Sequence, residues 1–72
     1  MDVRVQVGLN VRRFRTAAGL SQEELAHRAR LDRTYISGIE RGVRNPTIMV
    51  LQGLADALKV RPAQLLAEPG DM

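Results

Sequence analysis

The sequence predicts an all-α fold, a compact bundle of five short helices that forms one domain. Apolar residues recur at helical spacing along most of the chain, and residues that favour helix starts and stops separate the segments. The aromatic residues are one Phe and one Tyr, so aliphatic side chains must form the core, which suits short helices. We predict one domain over residues 1–72, with its core at about residues 5–66 and a frayed tail at 67–72.

The first helix is the least distinct, because two periodicities overlap in the N-terminal segment. Valines and Leu9 alternate with polar residues from Val3 to Val11, which is typical of a strand. Apolar residues also recur every three or four positions as far as Phe14, and this spacing marks one face of a helix. The helical stripe is longer and stops before Gly19, so we predict a helix over about residues 5–18 with an extended start.

Two short helices follow, joined by a very short connection. Ser21 and Glu24 have the spacing of a capping box, which predicts a helix start at Ser21. Asp32 is a favourable N-cap for the next helix, and Gly42 is a favourable stop. Because only about three residues separate the two helices, they must cross at a sharp angle.

The last two helices have clear start signals. Residues 45–47 predict a turn in which Thr47 caps the fourth helix. An apolar stripe at helical spacing then runs from Leu51 to Leu58. Pro62 suits the first position of a short fifth helix, because its fixed backbone angle is already helical.

Positive charge is concentrated in the middle of the chain. The chain has 11 Lys and Arg against 8 Asp and Glu, a net charge of +3, and residues 28–44 carry that whole excess. The arginine fork suits phosphate and guanine, because it donates two parallel hydrogen bonds. Charge alone fits either a nucleic-acid contact or a solvated basic face. The arginines of this segment are Arg28, Arg30, Arg33, Arg41 and Arg44.

The third predicted helix suits insertion into the major groove of DNA. Ile36 and Ile39 point inward, whereas Thr34 points outward and Arg33 projects from the first turn. A helix fits the major groove, and its first turns reach the base edges. Gly38 is predicted on the outer side, where a missing side chain lets the helix approach the groove floor.

Residues beside this helix are candidates for contacts to the DNA backbone. Tyr35 can bond a phosphate or merely cover the core, and the sequence leaves both roles open. Gln22 begins the second helix, where free amides and its own amide group can hold a phosphate. Arg44 and Asn45 follow the third helix and can hold the next phosphate.

Composition disfavours several other functions. The chain has no cysteine, and its one histidine, His27, lacks the partners of a metal site, so we expect no metal, no cofactor and no enzymatic activity. The longest apolar run, residues 48–51, is far shorter than a membrane span, and the N-terminus lacks an apolar signal core. We therefore expect a cytoplasmic protein with no membrane and no small-molecule partner.

The chain resembles the Cro/phage-repressor class of helix-turn-helix proteins. The resemblance rests on GLSQEELA at residues 19–26, TYIS at 34–37 and IERG at 39–42, and it covers residues 7–66. It implies a λ-repressor-like bundle of five helices that binds a double-stranded DNA operator as a homodimer. Residues 31–41 are especially similar to the controller proteins of restriction–modification systems, which regulate expression of the endonuclease and of their own gene.

The resemblance also implies roles for single residues. Arg15 and Glu40 correspond to an ion pair that links helix one to helix three. Arg30 stands where this class usually has glycine, because the chain is left-handed there, which costs a non-glycine residue roughly 1 kcal/mol. Base contacts correspond to Arg33, Thr34 and Tyr35. Backbone or neighbouring contacts correspond to Gln22, Ser37, Arg44 and Asn45.

The C-terminal region carries more apolar residues than one short helix needs, which predicts a dimer interface. The candidates are Leu58, Val60, Leu65 and Leu66. Some of these residues must face inward, so we expect only part of the set at the interface. Leu65 is the residue that we expect there above the others. A two-fold dimer would present two recognition helices to half-sites about 10 base pairs apart in a near-palindrome. Two alternatives remain from the sequence: an antitoxin that also binds its operator, and a phage-type repressor.

Overall fold

The computed structural model describes residues 2–68, which form five α-helices, and no strand occurs within that range. This confirms the all-α prediction. Of the tail expected at 67–72, residues 69–72 lie outside the described residues. No helix among the described residues has the length and apolar character needed to cross a bilayer. The helices are α1 (Val3–Ala17), α2 (Gln22–Ala29), α3 (Arg33–Glu40), α4 (Ile48–Leu58) and α5 (Pro62–Leu66).

Helix α1 starts at Val3, so the expectation of an extended start was wrong. Asp2 is the N-cap, and its carboxylate accepts a hydrogen bond from the Arg4 amide at 2.8 Å. The Arg4 guanidinium also donates to this carboxylate, at 2.8 Å from Nη2. These hydrogen bonds lower the pKa of Asp2 to about 2, and those from the Arg4 side chain have the largest effect. The cap therefore outweighs the strand-like alternation of the valines.

The other helix starts follow local signals in the sequence. The Glu24 amide donates to Ser21 Oγ at 3.0 Å, and Glu24 Oε1 accepts from the Ser21 amide at 2.8 Å, so the capping box is confirmed. These contacts lower the pKa of Glu24. Thr47 Oγ1 accepts from the Val50 amide at 3.1 Å. Asp32 is the N-cap of α3 by position, but its side chain makes no capping hydrogen bond.

The turn between α2 and α3 is left-handed, as expected. Arg30 has φ 58° and ψ 46°, and its amide bonds back to carbonyls in the last turn of α2. Lys59, at the end of α4, has the same conformation with φ 60°, which was not anticipated. Gly19 and Gly42 have positive φ and end α1 and α3, where glycine adopts that conformation without strain.

An aliphatic core joins all five helices. Its most enclosed large residues include Leu25 from α2, Ile36 and Ile39 from α3, Leu54 from α4 and Leu65 from α5, each no more than 1% exposed. Burying each of these side chains stabilises the fold by roughly 1.5–3 kcal/mol. The two buried isoleucines fix α3 by its inner face, so its outer face stays at the surface.

The burial of Leu65 corrects the expected dimer interface. Leu65 is 0% exposed and Leu58 is 7% exposed, so both belong to the core of one chain and are not available to a partner. The reason is that α5 has only five residues and packs mainly on α1 and α4, so its inward position must complete their core. Leu66 is 44% exposed and Val60 is half-buried, so only these two candidates remain near the surface.

Asn10 is a buried polar residue that the sequence interpretation missed. It is 1% exposed, and its Nδ2 donates to the carbonyls of Leu65 at 2.9 Å and Ala67 at 2.6 Å. Gln6 Nε2 donates to the carbonyl of Leu66 at 3.1 Å. A helix this short leaves most of its carbonyls without hydrogen-bond partners inside the helix. Side chains of α1 supply the missing donors. Asn10 and Gln6 therefore fix the end of α5.

Gly8 permits the close contact between α1 and α3, and its replacement should destabilise the fold. A Cβ at Gly8 would collide with the carbonyl oxygen of Ile39 and lie 2.8 Å from that of Glu40. Because backbone must then move, we expect Gly8→Ala to lower the free energy of unfolding by about 1–3 kcal/mol, despite the higher helix propensity of alanine.

Gly53→Ala is the matched control, because nothing lies within 4 Å of a Cβ at Gly53. This variant should raise the free energy of unfolding by up to about 1 kcal/mol. Urea unfolding followed by circular dichroism measures both variants. Equal shifts in the same direction would mean that the α1–α3 contact does not need glycine.

Candidate nucleic-acid interface

The N-terminal turn of α3 presents polar side chains to solvent. Ile36 and Ile39 hold the helix against the core, which leaves Arg33 and Thr34 exposed at its start. Four of the residues predicted to contact DNA are exposed: Arg33, Thr34, Arg44 and Asn45. Three are half-buried: Gln22, Tyr35 and Ser37.

The arginines of residues 28–44 all lie at the surface. None of them is buried in the core, so the positive charge that the sequence concentrates in this segment faces solvent. Such charge favours a polyanion through release of the counterions condensed on it. The arginines in question are Arg28, Arg30, Arg33, Arg41 and Arg44.

Tyr35 covers the core, one of the two roles that the sequence left open, and its contact with a phosphate stays a prediction. Its ring is half-buried and packs on the edge of the core. The Arg44 guanidinium carbon lies 6.0 Å from the centroid of the ring, within reach of a cation–π contact. Tyr35 therefore covers the core with one part of its ring and supports an exposed arginine with another.

Gly38 is covered by a neighbour, which corrects its interpretation as an open position. The residue is buried, and a Cβ built on it would lie 2.5 Å from Cγ of Arg44. The side chain that encloses it comes from the loop after α3, which sequence periodicity within the helix could not reveal. Gly38 thus gives room to Arg44 in the free protein.

A largely buried ion pair ties α1 to the end of α3. Arg15 Nε lies 2.6 Å from Glu40 Oε2, and Arg15 Nη2 lies 3.0 Å from Glu40 Oε1, so the pair is bidentate. The side chains of Arg15 and Glu40 are 12% and 5% exposed. The hydrogen bonds that Arg15 donates to Glu40 raise the pKa of Arg15 further above its ordinary value, so the guanidinium stays charged. Arg15 Nη1 also donates to the carbonyl of Leu20 at 2.9 Å.

Gln22 joins this ion pair, a contact that the sequence did not indicate. Its Nε2 donates to Glu40 Oε1 at 3.1 Å. The first residue of α2 is therefore held beside the last residue of α3. A side-chain amide has a second N–H and a carbonyl oxygen, so Gln22 keeps hydrogen-bonding capacity for a ligand at the start of α2.

These elements form a recognisable DNA-binding unit. A short helix, fixed by its inner face and crossing the preceding helix after a tight turn, exposes a polar first turn flanked by arginines. This fold and site define a helix-turn-helix DNA-binding domain of the kind found in transcription regulators. The chain belongs to the helix-turn-helix family, whose sequence profile matches residues 11–65.

Several known proteins are similar along most of their length. A helix-turn-helix transcriptional regulator of Sinorhizobium fredii is 46% identical over 66 residues, which is 92% of this chain and 86% of the relative. The control protein C.SmaI of Serratia marcescens is 43% identical over 70 residues, 97% of this chain and 83% of the relative. The crystal structure of the restriction-modification controller protein C.AhdI from Aeromonas hydrophila superposes with a TM-score of 0.84 at 47% identity, covering 86% of this chain and 94% of that one.

Proposed function

We propose that this protein binds a near-palindromic DNA operator as a homodimer and controls the genes of a restriction–modification system. The observation that carries the proposal is the first turn of α3, where Arg33 and Thr34 are exposed on a helix anchored by a buried inner face. The similarity to C.SmaI and C.AhdI supports the narrower assignment. We expect a regulator without catalytic activity or cofactor, acting in the cytoplasm.

The proposed contacts divide into base reading and backbone positioning. Arg33 suits guanine O6 and N7, and Thr34 offers a hydroxyl and a methyl group to a thymine. Tyr35 is the third residue that we propose to contact a base. Contacts to phosphates fix the register of the helix in the groove but carry no sequence information themselves. The proposed backbone contacts are Gln22, Ser37, Arg44 and Asn45.

Selection of bound sequences from random duplexes tests the whole proposal. We expect one enriched half-site that recurs in inverted orientation with centres about 10 base pairs apart. Enrichment of a single asymmetric half-site would contradict the dimer, and no enrichment would contradict sequence-specific binding. Adjacent genes for an endonuclease and a methyltransferase distinguish a controller from an antitoxin or a phage-type repressor.

Arg33→Ala should selectively weaken binding to the operator. Loss of a bidentate base contact should cost about 1–3 kcal/mol at the selected sequence and much less on unrelated DNA. Fluorescence anisotropy on both duplexes at one salt concentration measures the difference. An equal loss on both would identify Arg33 as a phosphate contact rather than a base-reading residue.

Arg44→Ala should weaken binding to all sequences alike. If its guanidinium neutralises one phosphate, the slope of log K against log salt should fall by about one. Titrations at several salt concentrations, on operator and unrelated duplexes, measure this slope. An unchanged slope would remove Arg44 from the contacts with DNA.

The dimer interface that we propose centres on Leu66 instead of Leu65. Leu66 is 44% exposed and borders a shallow depression that Val3, Val7 and Leu51 line together with Arg4, Asn45 and Pro46. A second copy is the partner that this surface suits, because a near-palindromic operator requires two recognition helices related by a two-fold axis. Val60, half-buried beside the core, is the other original candidate that a partner could reach.

A further inference from the structure

The Arg44 side chain lies along Gly38 for most of its length. A Cβ at Gly38 would meet Cγ of Arg44 at 2.5 Å, Nε at 3.4 Å and Cδ at 3.5 Å. The first of these distances is far below van der Waals contact. Cγ is close to the backbone of Arg44, so a methyl group at Gly38 would redirect the whole side chain.

The turn after α3 brings Arg44 back to this position. Gly42 adopts φ +77°, and the Val43 amide then donates to the Gly38 carbonyl at 3.0 Å. The chain therefore reverses direction directly after α3 and passes beside the middle of that helix. The aliphatic part of Arg44 rests on Gly38, and its guanidinium lies over the ring of Tyr35.

We propose that Gly38 and Tyr35 form a seat that orients the Arg44 guanidinium toward DNA before binding, with Gly38 as a positioning residue. The inference rests on the proposed contact of Arg44 with a phosphate. An arginine that is already oriented loses less side-chain freedom when it binds, so affinity depends on the seat as well as on the charge. Gly38 acts through Arg44 and makes no contact with DNA itself.

A double-mutant cycle tests this coupling. We expect Gly38→Ala to weaken operator binding by roughly ten-fold, since a well-made hydrogen bond to a charged group is worth at least about that factor. In the Arg44→Ala background, Gly38→Ala should change the affinity less than about two-fold, because coupled residues are not additive. Gly53→Ala is the matched helical control and should leave operator binding unchanged, because a Cβ there meets nothing within 4 Å.

Two further measurements separate the seat from a general effect on the fold. The thermal midpoint of Gly38→Ala should stay close to that of the parent, because only a side chain is displaced and alanine favours helix. Nuclear magnetic resonance of the free protein should show Arg44 side-chain protons shifted by the Tyr35 ring, the chain's one tyrosine. That shift should disappear in Gly38→Ala.

The possible failures are distinguishable. If Arg44→Ala leaves affinity unchanged while Gly38→Ala still removes the ring shift, Arg44 does not contact DNA. The seat then has no effect on binding. If Arg44→Ala weakens binding but Gly38→Ala does not, only the seat is overturned. If Gly38→Ala weakens binding equally in both backgrounds, the methyl group collides with DNA, which also overturns the seat. Loss of folding in Gly38→Ala would overturn it as well.

Discussion

Glu40→Ala is expected to lower the free energy of unfolding by about 3–5 kcal/mol. The Glu40 side chain is 5% exposed and accepts hydrogen bonds from the Arg15 guanidinium and the Gln22 amide. Its removal leaves Arg15 largely out of water with no carboxylate to balance its charge, which is the costly part of the change. Such a loss is a large fraction of the stability of a domain of this size.

Denaturant unfolding of three variants distinguishes pairing from simple loss of packing. The double variant Arg15→Met, Glu40→Leu should recover much of the loss, because matched apolar residues need no compensating charge. Arg4→Ala is the control at an exposed pair with Asp2, whose side chains are 48% and 45% exposed, and it should have far less effect. A neutral Glu40→Ala would show that the charges of Arg15 and Glu40 are not energetically coupled.

Leu65→Arg and Leu66→Arg should have different effects although the residues are adjacent. Leu65 is fully buried, so a charge there should cost more than about 5 kcal/mol and unfold the chain. Leu66 is 44% exposed, so Leu66→Arg should keep the helical circular dichroism. If Leu66 lies at the two-fold interface, the variant should be monomeric and lose operator affinity by about 100-fold or more, because the two half-sites are then bound independently.

Sedimentation over the micromolar range measures the assembly of the parent and of Leu66→Arg. The operator and a single half-site are then titrated with each protein. A parent protein that is monomeric throughout, with full affinity for a single half-site, would reject the dimer. A Leu66→Arg variant that remains dimeric would instead move the interface to another surface of the chain.

The order and type of the helices were predictable because their signals are local. The capping box of Ser21 and Glu24, the Thr47 cap and Pro62 at the start of α5 each act through neighbours in the sequence. Inward positions in α3 also followed from spacing alone, since Ile36 and Ile39 repeat at the helical period. The alternating valines led to the wrong prediction of an extended start for α1, because the Asp2 N-cap starts the helix at Val3.

The candidate site was predicted in outline, and tertiary packing decided its details. The five helices, the aliphatic core and the exposed polar start of α3 were predictable from the sequence, because caps and periodicity depend only on neighbouring residues. The burial of Leu65, the position of Gly38 under Arg44 and the hydrogen bond from Gln22 to Glu40 were not predictable in this way. Each of these depends on residues from separate segments meeting in space, and the period of one helix carries no information about what packs against it.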